Sequence, residues 1–213
     1  MLYMQNTILA QAQAIAKSGE DVDLEYAQQI LMDHLITHPQ DTDAWLLLIR
    51  IECNTPFDDP ERIMHYVQHV LSYDPSNAYA LLYWSYADYF LMGNLNNELY
   101  DNLCMAQSDD IEIMSMIEVA KARYFQHRDP RKYEEALKKS IEYCSTHVTN
   151  CRKLGRLYIR QGRIQEGEFL VDQSLQNSEN TQNIKRAFNH SEVTRGVRCT
   201  NLRYLLDKFF AGI

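Results

Sequence analysis

The sequence predicts an all-α fold built from stacked helix pairs, and three observations support it. Apolar residues recur with helical spacing along nearly the whole chain, as at Ala27, Ile30 and Leu31, and no window shows the alternation typical of a strand. Only 7 Gly and 5 Pro occur in 213 residues, too few for an all-β chain rich in tight turns. The segments after Pro39 and Pro75 match each other at a spacing of 36 residues, which is typical of helical-pair solenoids.

Prolines indicate where individual helices begin and end. Asp59-Pro60 and Asp129-Pro130 each place a capping carboxylate before a proline at the first helical position, where the missing N–H costs nothing. Pro39 and Pro75 instead follow helices, because the residue before a proline is driven out of the α region. Each repeat is therefore predicted as a helix, a turn and a second helix, and the stacking of neighbouring repeats builds the core.

The clearest repeat contains Leu154-Gly155, then Tyr158, then Gly162. This pattern resembles the tetratricopeptide repeat (TPR) family, whose first helix carries a Leu-Gly pair and a Tyr and ends in a glycine turn. The family has Ala where the second helix crosses the first, and this chain has Gly167, which is also small. Residues 133–137 resemble the start of a family second helix.

The resemblance implies a right-handed superhelix of about five helix-turn-helix repeats. The expected repeats span residues 5–39, 42–75, 78–108, 110–147 and 149–179. We expect residues 1–179 to form the TPR-like solenoid and residues 180–213 to belong to the same domain as its C-terminal capping or docking part.

That C-terminal stretch matches no repeat. An apolar stripe at positions i, i+3, i+4, i+7, i+8 and i+11 predicts one amphipathic helix. Its members are Leu202, Leu205, Leu206, Phe209, Phe210 and Ile213. We expect this helix to cap the solenoid. The alternative is a docking helix, for a partner or for a second copy of the chain in a homodimer, anchored by Leu206, Phe209 and Phe210.

Charge and composition exclude several classes of protein. The net charge of −8 is unevenly distributed. Residues 1–106 contain 3 Lys or Arg and 15 Asp or Glu, whereas residues 107–213 contain 18 Lys or Arg and 14 Asp or Glu. This distribution argues against a general nucleic-acid binder. The longest apolar run, residues 44–49, is too short to cross a membrane. We expect a cytoplasmic protein, because no signal-peptide pattern opens the chain and its 5 Cys are odd in number and scattered.

Catalytic and metal-binding patterns are absent from the sequence. It contains no GxSxG, GxxxxGK[ST], GxGxxG or HExxH pattern. The pairs His34/His38 and His65/His69 have the spacing of metal ligands, but both fall on second helices without a third ligand, so we expect solvated surface histidines. The sequence thus predicts no enzymatic activity, no cofactor and no bound metal.

The first helices of TPR proteins line a concave groove that binds a protein or peptide. Counted from the core positions, the groove positions of the third repeat hold three tyrosines on one stripe: Tyr79, Tyr83 and Tyr86. Tyrosine offers apolar area and a hydroxyl at a low entropic cost, which suits peptide contact. The alternative is that these rings pack between neighbouring first helices, and the sequence leaves both interpretations open.

The groove positions of the fifth repeat are basic. They hold Arg152, Lys153 and Arg156, with Arg160 one turn on. Repelling cations on one stripe are mildly unfavourable, so we expect an acidic segment opposite them, either a partner's or an internal residue such as Glu166 or Glu168. In the fourth repeat a longer turn leaves the register ambiguous, and the groove cation is either Lys121 or Arg123.

The resemblance therefore predicts a non-enzymatic adaptor that binds a partner in its groove. Bacterial secretion chaperones and toxin-neutralising partners are small cytosolic proteins of this kind. Some TPR proteins grip chaperone C-termini with Lys and Asn, but the corresponding positions here hold Ala12, Ala16, Leu47, Tyr79 and Tyr83, so we expect no such clamp. The alternative function is a structural or regulatory subunit that self-associates through its C-terminal helix.

Overall fold

The computed structural model describes residues 2–18, 20–53, 59–93, 95–145 and 148–188. These residues form ten α-helices and no strand, with a single isolated bridge between Asn77 and Gln107. The helices are α1 (Leu2–Ala16), α2 (Asp21–Thr37), α3 (Thr42–Glu52), α4 (Pro60–Tyr73), α5 (Ala78–Met92), α6 (Asn97–Met105), α7 (Ile111–Phe125), α8 (Pro130–Tyr143), α9 (Val148–Arg160) and α10 (Ile164–Phe188). The predicted all-α class is confirmed.

Successive helices form five pairs, as expected for helix-turn-helix repeats. Within each pair the two helices pack together, and a second helix also packs on the first helix of the next pair, as α4 does on α5 and α8 on α9. First helices contact one another along the chain, α1 with α3, α3 with α5 and α5 with α7. The result is two layers, one of first helices and one of second helices.

The helix ends follow the chemistry that the sequence indicates. Asp59 Oδ1 accepts hydrogen bonds from the backbone N–H groups of Glu61 and Arg62 at 3.0 and 3.3 Å. At the start of α8, Asp129 Oδ1 likewise accepts hydrogen bonds from the backbone N–H groups of Arg131 and Lys132 at 3.0 and 3.2 Å. Each carboxylate thereby satisfies two N–H groups that the helix leaves without a partner. Helix α2 ends before Pro39 and α4 before Pro75, as predicted.

Helices α9 and α10 cross closely at two glycines, Gly155 and Gly167. A Cβ built on Gly155 would lie 2.7 Å from the carbonyl oxygen of Gly167, and one built on Gly167 would lie 2.6 Å from the carbonyl oxygen of Gly155. Gly162 has φ +82° in the turn between α9 and α10, a conformation that other L-residues adopt only at a cost. The predicted crossing at Gly167 and turn at Gly162 are both observed.

Buried apolar side chains form a continuous core through α1–α7 and a smaller cluster in the last two pairs. The smaller cluster consists of Ala122, Ala136, Leu137, Leu154 and Tyr158. Three of the four described cysteines, Cys53, Cys144 and Cys151, are buried and Cys104 is exposed, and all four are free thiols.

The predicted boundary at residue 179 falls inside one helix, because α10 continues to Phe188. The predicted docking residues Leu206, Phe209 and Phe210 lie outside the described residues. The capping helix therefore remains a prediction.

The expectation of four solvated histidines is wrong for His34, whereas His65 is exposed and His38 and His69 are half-buried. His34 is buried, and its Nε2 lies 2.8 Å from Oδ2 of Asp41, the residue that caps α3. His38 stacks on His34 with ring centroids 4.6 Å apart. His69 stacks on Trp45 at 4.4 Å. The turn after α2 brings Asp41 back to the end of that helix, so His34 packs inside a helix junction and does not face water.

Candidate partner-binding surface

The tyrosine stripe of α5 divides between surface and core. Tyr79 is 37% exposed, whereas Tyr83 is 2% and Tyr86 is 7% exposed. Tyr83 and Tyr86 are therefore core residues, and the interpretation that they contact a partner is corrected in favour of packing between first helices. The physical reason is that α3 and α7 both pack on α5, so that α5 buries two faces.

Tyr79 remains at the surface between oppositely charged groups. The negative charge of Asp110 raises the pKa of its phenol, after the larger effect of burial, and the positive charge of Arg50 lowers it. Arg50 also lowers the pKa of the neighbouring Tyr83, which burial raises well above its usual value. Arg50, Tyr79 and Asp110 thus lie close together, on α3, on α5 and at the start of α7.

The four predicted groove cations lie together on α9. Arg152 and Lys153 are half-buried, and Arg156 and Arg160 are exposed. Burial, and to a lesser extent the positive charges of Arg123 and Arg152, lower the pKa of Lys153 to about 8. Arg123 of α7 and Arg152 therefore lie close enough to Lys153 for their charges to affect its ammonium group.

The register of the fourth repeat follows from this cluster. Arg123 of α7 lies near enough to Lys153 to lower its pKa. Lys121 instead forms an ion pair with Glu118 at 2.8 Å on its own helix. Arg123 is therefore the cation that accompanies the α9 cations, and the sequence had left this choice open.

The predicted internal partner Glu166 pairs with a different arginine. Arg163, in the turn before α10, contacts Glu166 at 2.5 Å and Glu134 of α8 at 3.0 Å, with its guanidinium carbon 3.5 Å above the ring of Tyr158. Glu134 also binds Lys138 at 2.6 Å. Within the described part of the chain, Arg152, Arg156 and Arg160 form no ion pair. Their charge is directed to solvent or to a ligand.

A buried polar junction joins the last two repeats and was not predicted. Ser115 of α7 donates its hydroxyl to the carbonyl oxygen of Ser140 on α8 at 2.8 Å. Asn150 of α9 donates to the hydroxyls of Ser115 and Ser140. All three side chains are fully buried, so their hydrogen bonds fix how α7, α8 and α9 pack. Ser and Asn carry no periodic signal, which is why the sequence pattern missed them.

The described residues offer few other kinds of site. No group of three or more His, Cys, Asp or Glu there is arranged to hold a metal ion. No helix among those described has the length and apolar character needed to span a membrane. Two open grooves occur beside second helices, one of about 550 Å³ between α8 and α10 and one of about 610 Å³ between α4 and α6.

Comparisons with known proteins bear on the fold. No protein-family model matches the chain, and no curated protein matches its sequence. A crystal structure of MamA superposes with a TM-score of 0.60 at 15% identity, over 76% of this chain and 92% of that one. Another crystal structure of MamA gives a TM-score of 0.55 at 15% identity, over 88% and 97%.

MamA is a TPR-like helical-repeat protein, and a likeness at this identity shows the fold alone. The two layers of paired helices, the Gly155–Gly167 crossing and the glycine turn at Gly162 agree with that likeness. The chain therefore has an all-helical, superhelical repeat fold similar to that of MamA.

Proposed function

We propose that the protein is a non-enzymatic interaction scaffold that binds an acidic segment of a partner protein on α9. The observation that carries the proposal is the row of cations at Arg152, Lys153, Arg156 and Arg160, accompanied by Arg123. Like charges held together on one surface raise the energy of the free protein. A bound carboxylate removes that repulsion and gains charge-assisted hydrogen bonds.

The half-buried positions matter more than the exposed ones for this binding. A pair between fully exposed charges contributes about 0–1 kcal/mol, whereas a carboxylate bound at a partly desolvated site interacts more strongly. Arg152 and Lys153 provide such a site, and the exposed Arg156 and Arg160 extend it by about one and two helical turns. Tyr79 lies on α5, two helix pairs before α9, so a long partner segment would contact Tyr79 at a different point.

A peptide titration tests this scaffold function. The probe is a twelve-residue peptide of Glu, Gly and Ser, and its matched control replaces every Glu by Gln. We expect the acidic peptide alone to bind, with an affinity that falls as salt is added. Arg152→Glu with Arg156→Glu, which reverses one half-buried and one exposed cation, should weaken binding at least tenfold.

The matched control variant reverses two exposed cations elsewhere. Arg131→Glu with Lys139→Glu on α8 makes the same change in net charge on the second-helix layer. Equal losses in both double variants, or equal binding of the Gln peptide, would show a general charge effect and contradict the α9 site. Affinity capture from the native cell would then identify the partner and decide between an adaptor role and a chaperone-like or neutralising one.

A second candidate function, self-association, is favoured by the exposed apolar side chains on α10. Ile164, Phe169 and Leu175 are exposed there, with Phe169 at 68%. One arrangement we propose is that the predicted stripe with Leu206, Phe209 and Phe210 covers these exposed side chains of α10 within the same chain, as a cap. The alternative is that the stripe covers the same side chains of a second copy.

Deletion of residues 200–213 distinguishes the two arrangements by solution mass. A monomer that becomes aggregation-prone supports the cap, because the deletion exposes Phe169 and its neighbours. A dimer that becomes a stable monomer supports self-association. A chain unchanged in mass, solubility and unfolding midpoint would contradict both.

A further inference from the structure

The middle of the chain lacks basic residues to an unusual degree. Residues 63–120 contain no Lys or Arg but 8 Asp or Glu. Since 21 of 213 residues are basic, a stretch of this length would hold about 6 at the average frequency. The stretch covers most of α4, all of α5 and α6 and the first two thirds of α7. Surfaces built from these helices alone therefore attract cations.

One such surface is the groove between α4 and α6, with α5 as its floor. Its volume is about 610 Å³. Met64 and Leu71 of α4 provide an apolar wall, and Trp84 and Asp88 of α5, one helical turn apart, form the floor. Trp84 is half-buried, so part of its ring faces the groove. The groove lies on the second-helix side of α5, away from Tyr79.

Asp88 gives the floor its charge. The residue is only 7% exposed, and its Oδ2 accepts one hydrogen bond, from the backbone N–H of Asn96 at 3.3 Å. Burial raises the pKa of this carboxyl, and the hydrogen bond from the Asn96 backbone N–H offsets that effect only in part. A buried carboxylate is stabilised by a cation or by further N–H donors.

Two other groups of the groove provide acceptors, and the side-chain amides of Gln68 and Asn96 can both donate and accept. Glu98 contributes a second carboxylate from α6. Asn102 donates its side-chain N–H to the carbonyl oxygen of Glu98 at 2.9 Å, so its own carbonyl oxygen remains an acceptor. A guanidinium has five N–H donors, no acceptor and a flat face that stacks on aromatic rings. It matches this combination of acceptors and an indole ring better than an ammonium does.

We propose that this groove binds an arginine side chain of a partner protein, with the guanidinium against Trp84 and hydrogen-bonded to Asp88 and Glu98. The apolar wall formed by Met64 and Leu71 accommodates the methylene stem of the arginine. This site is separate from the cationic row on α9, and its occupant has the opposite charge. The scaffold would then hold a basic segment on its second-helix layer and an acidic segment on its first-helix layer.

The experiment follows the two indole N–H resonances of the ¹⁵N-labelled protein, since the chain has 2 Trp. Trp84→Phe assigns them. The probe is the peptide acetyl-Gly-Gly-Arg-Gly-Gly-amide, and the matched control carries citrulline, a neutral analogue of arginine of the same shape. We expect the arginine peptide to shift the Trp84 signal saturably and to leave the Trp45 signal in place. The citrulline peptide should bind at least tenfold more weakly.

Variants locate the binding. Asp88→Asn should weaken arginine-peptide binding at least tenfold, whereas Asp101→Asn, which removes an exposed charge of α6 outside the groove, should change it less than twofold. Glu98 is exposed, so we expect Glu98→Gln to retain the fold and to weaken arginine-peptide binding, which tests the groove if Asp88→Asn unfolds. Arg156→Glu should leave the Trp84 shift unchanged.

Three outcomes would overturn the groove proposal without bearing on the α9 site. They are the absence of a Trp84 shift, equal shifts with citrulline, and equal losses in the Asp88 and Asp101 variants. Loss of acidic-peptide binding on α9 with the Trp84 response intact would instead leave the groove proposal standing.

Discussion

Replacing Gly167 by alanine should destabilise the last helix pair, although alanine is the better helix former. An added Cβ would lie 2.6 Å from the carbonyl oxygen of Gly155, 2.6 Å from Cγ1 of Ile159 and 2.9 Å from the backbone nitrogen of Ile159. Ordinary van der Waals contact begins at 3.4 Å. Helices α9 and α10 would therefore have to separate by about 0.8 Å, the difference between 3.4 and 2.6 Å.

The magnitude follows from two opposing effects. Alanine gains up to about 1 kcal/mol over glycine inside a helix. Overpacking a close contact typically costs about 1–3 kcal/mol, and the cost here lies in the upper part of that range because two of the three contacts are backbone atoms that no rotamer change can move. We expect a net loss of about 1–2 kcal/mol in the free energy of unfolding. In a chain of this size, that lowers the melting temperature by roughly 2–8 °C.

Urea unfolding followed by circular dichroism measures the loss, and amide hydrogen exchange shows whether it is confined to α9 and α10. Asp172→Ala is the matched control, because it changes an exposed side chain of α10 to alanine without adding an atom to the crossing. We expect that control to stay within about 0.5 kcal/mol of the wild type. A Gly167→Ala protein as stable as the wild type would refute the close-crossing argument.

Three further predictions concern two glycine turns, Lys153 and Glu134. Gly162→Ala should cost about 1–2 kcal/mol in thermal unfolding, because the added Cβ meets no neighbouring atom but φ is +82°; Gly93→Ala, at φ +66° and equally unobstructed, should behave alike. The pKa of Lys153 is about 8 in the folded protein and 10.5 in an unfolded chain. Between these two pH values the unfolded state binds more protons, so the free energy of unfolding should rise with pH there. Lys153→Met should abolish that rise in urea unfolding, and an unchanged slope would show that other groups cause it. Glu134, whose pKa is lowered chiefly by its hydrogen bond to Lys138, stabilises the fold above pH 4.5; the difference in unfolding free energy from Glu134→Gln should shrink below that pH, and a constant difference would contradict the ion pairing.

Features encoded within a few residues were predictable from the sequence. Asp59 and Asp129 cap helices through N–H groups two and three residues on, and Gly162 forms its turn through its own φ. Periodicity and the repeat spacing added the helix pairs, and the resemblance to TPR proteins added the crossing at Gly167. None of these inferences required knowledge of a distant contact.

Features that depend on distant contacts were predicted less well. The stripe of tyrosines on α5 is visible in the sequence, but whether Tyr83 is open or buried depends on how closely α3 and α7 approach. His34 is buried because Asp41 returns to it across a turn. Arg163 pairs with Glu134, 29 residues earlier, and no local sequence pattern predicts an ion pair over that separation.

The buried junction of Ser115, Ser140 and Asn150 has a consequence for modularity. Repeat proteins are often treated as strings of interchangeable units whose stabilities add with their interfaces. Here three side chains from two successive repeats hydrogen-bond to one another with no water-exposed edge. A foreign repeat inserted between α8 and α9 would separate the hydroxyls of Ser115 and Ser140 from the amide of Asn150. Each buried group left without a hydrogen-bond partner would cost about 1–3 kcal/mol. Chimaeras and repeat transplants should therefore move the last two helix pairs, α7 to α10, as one block.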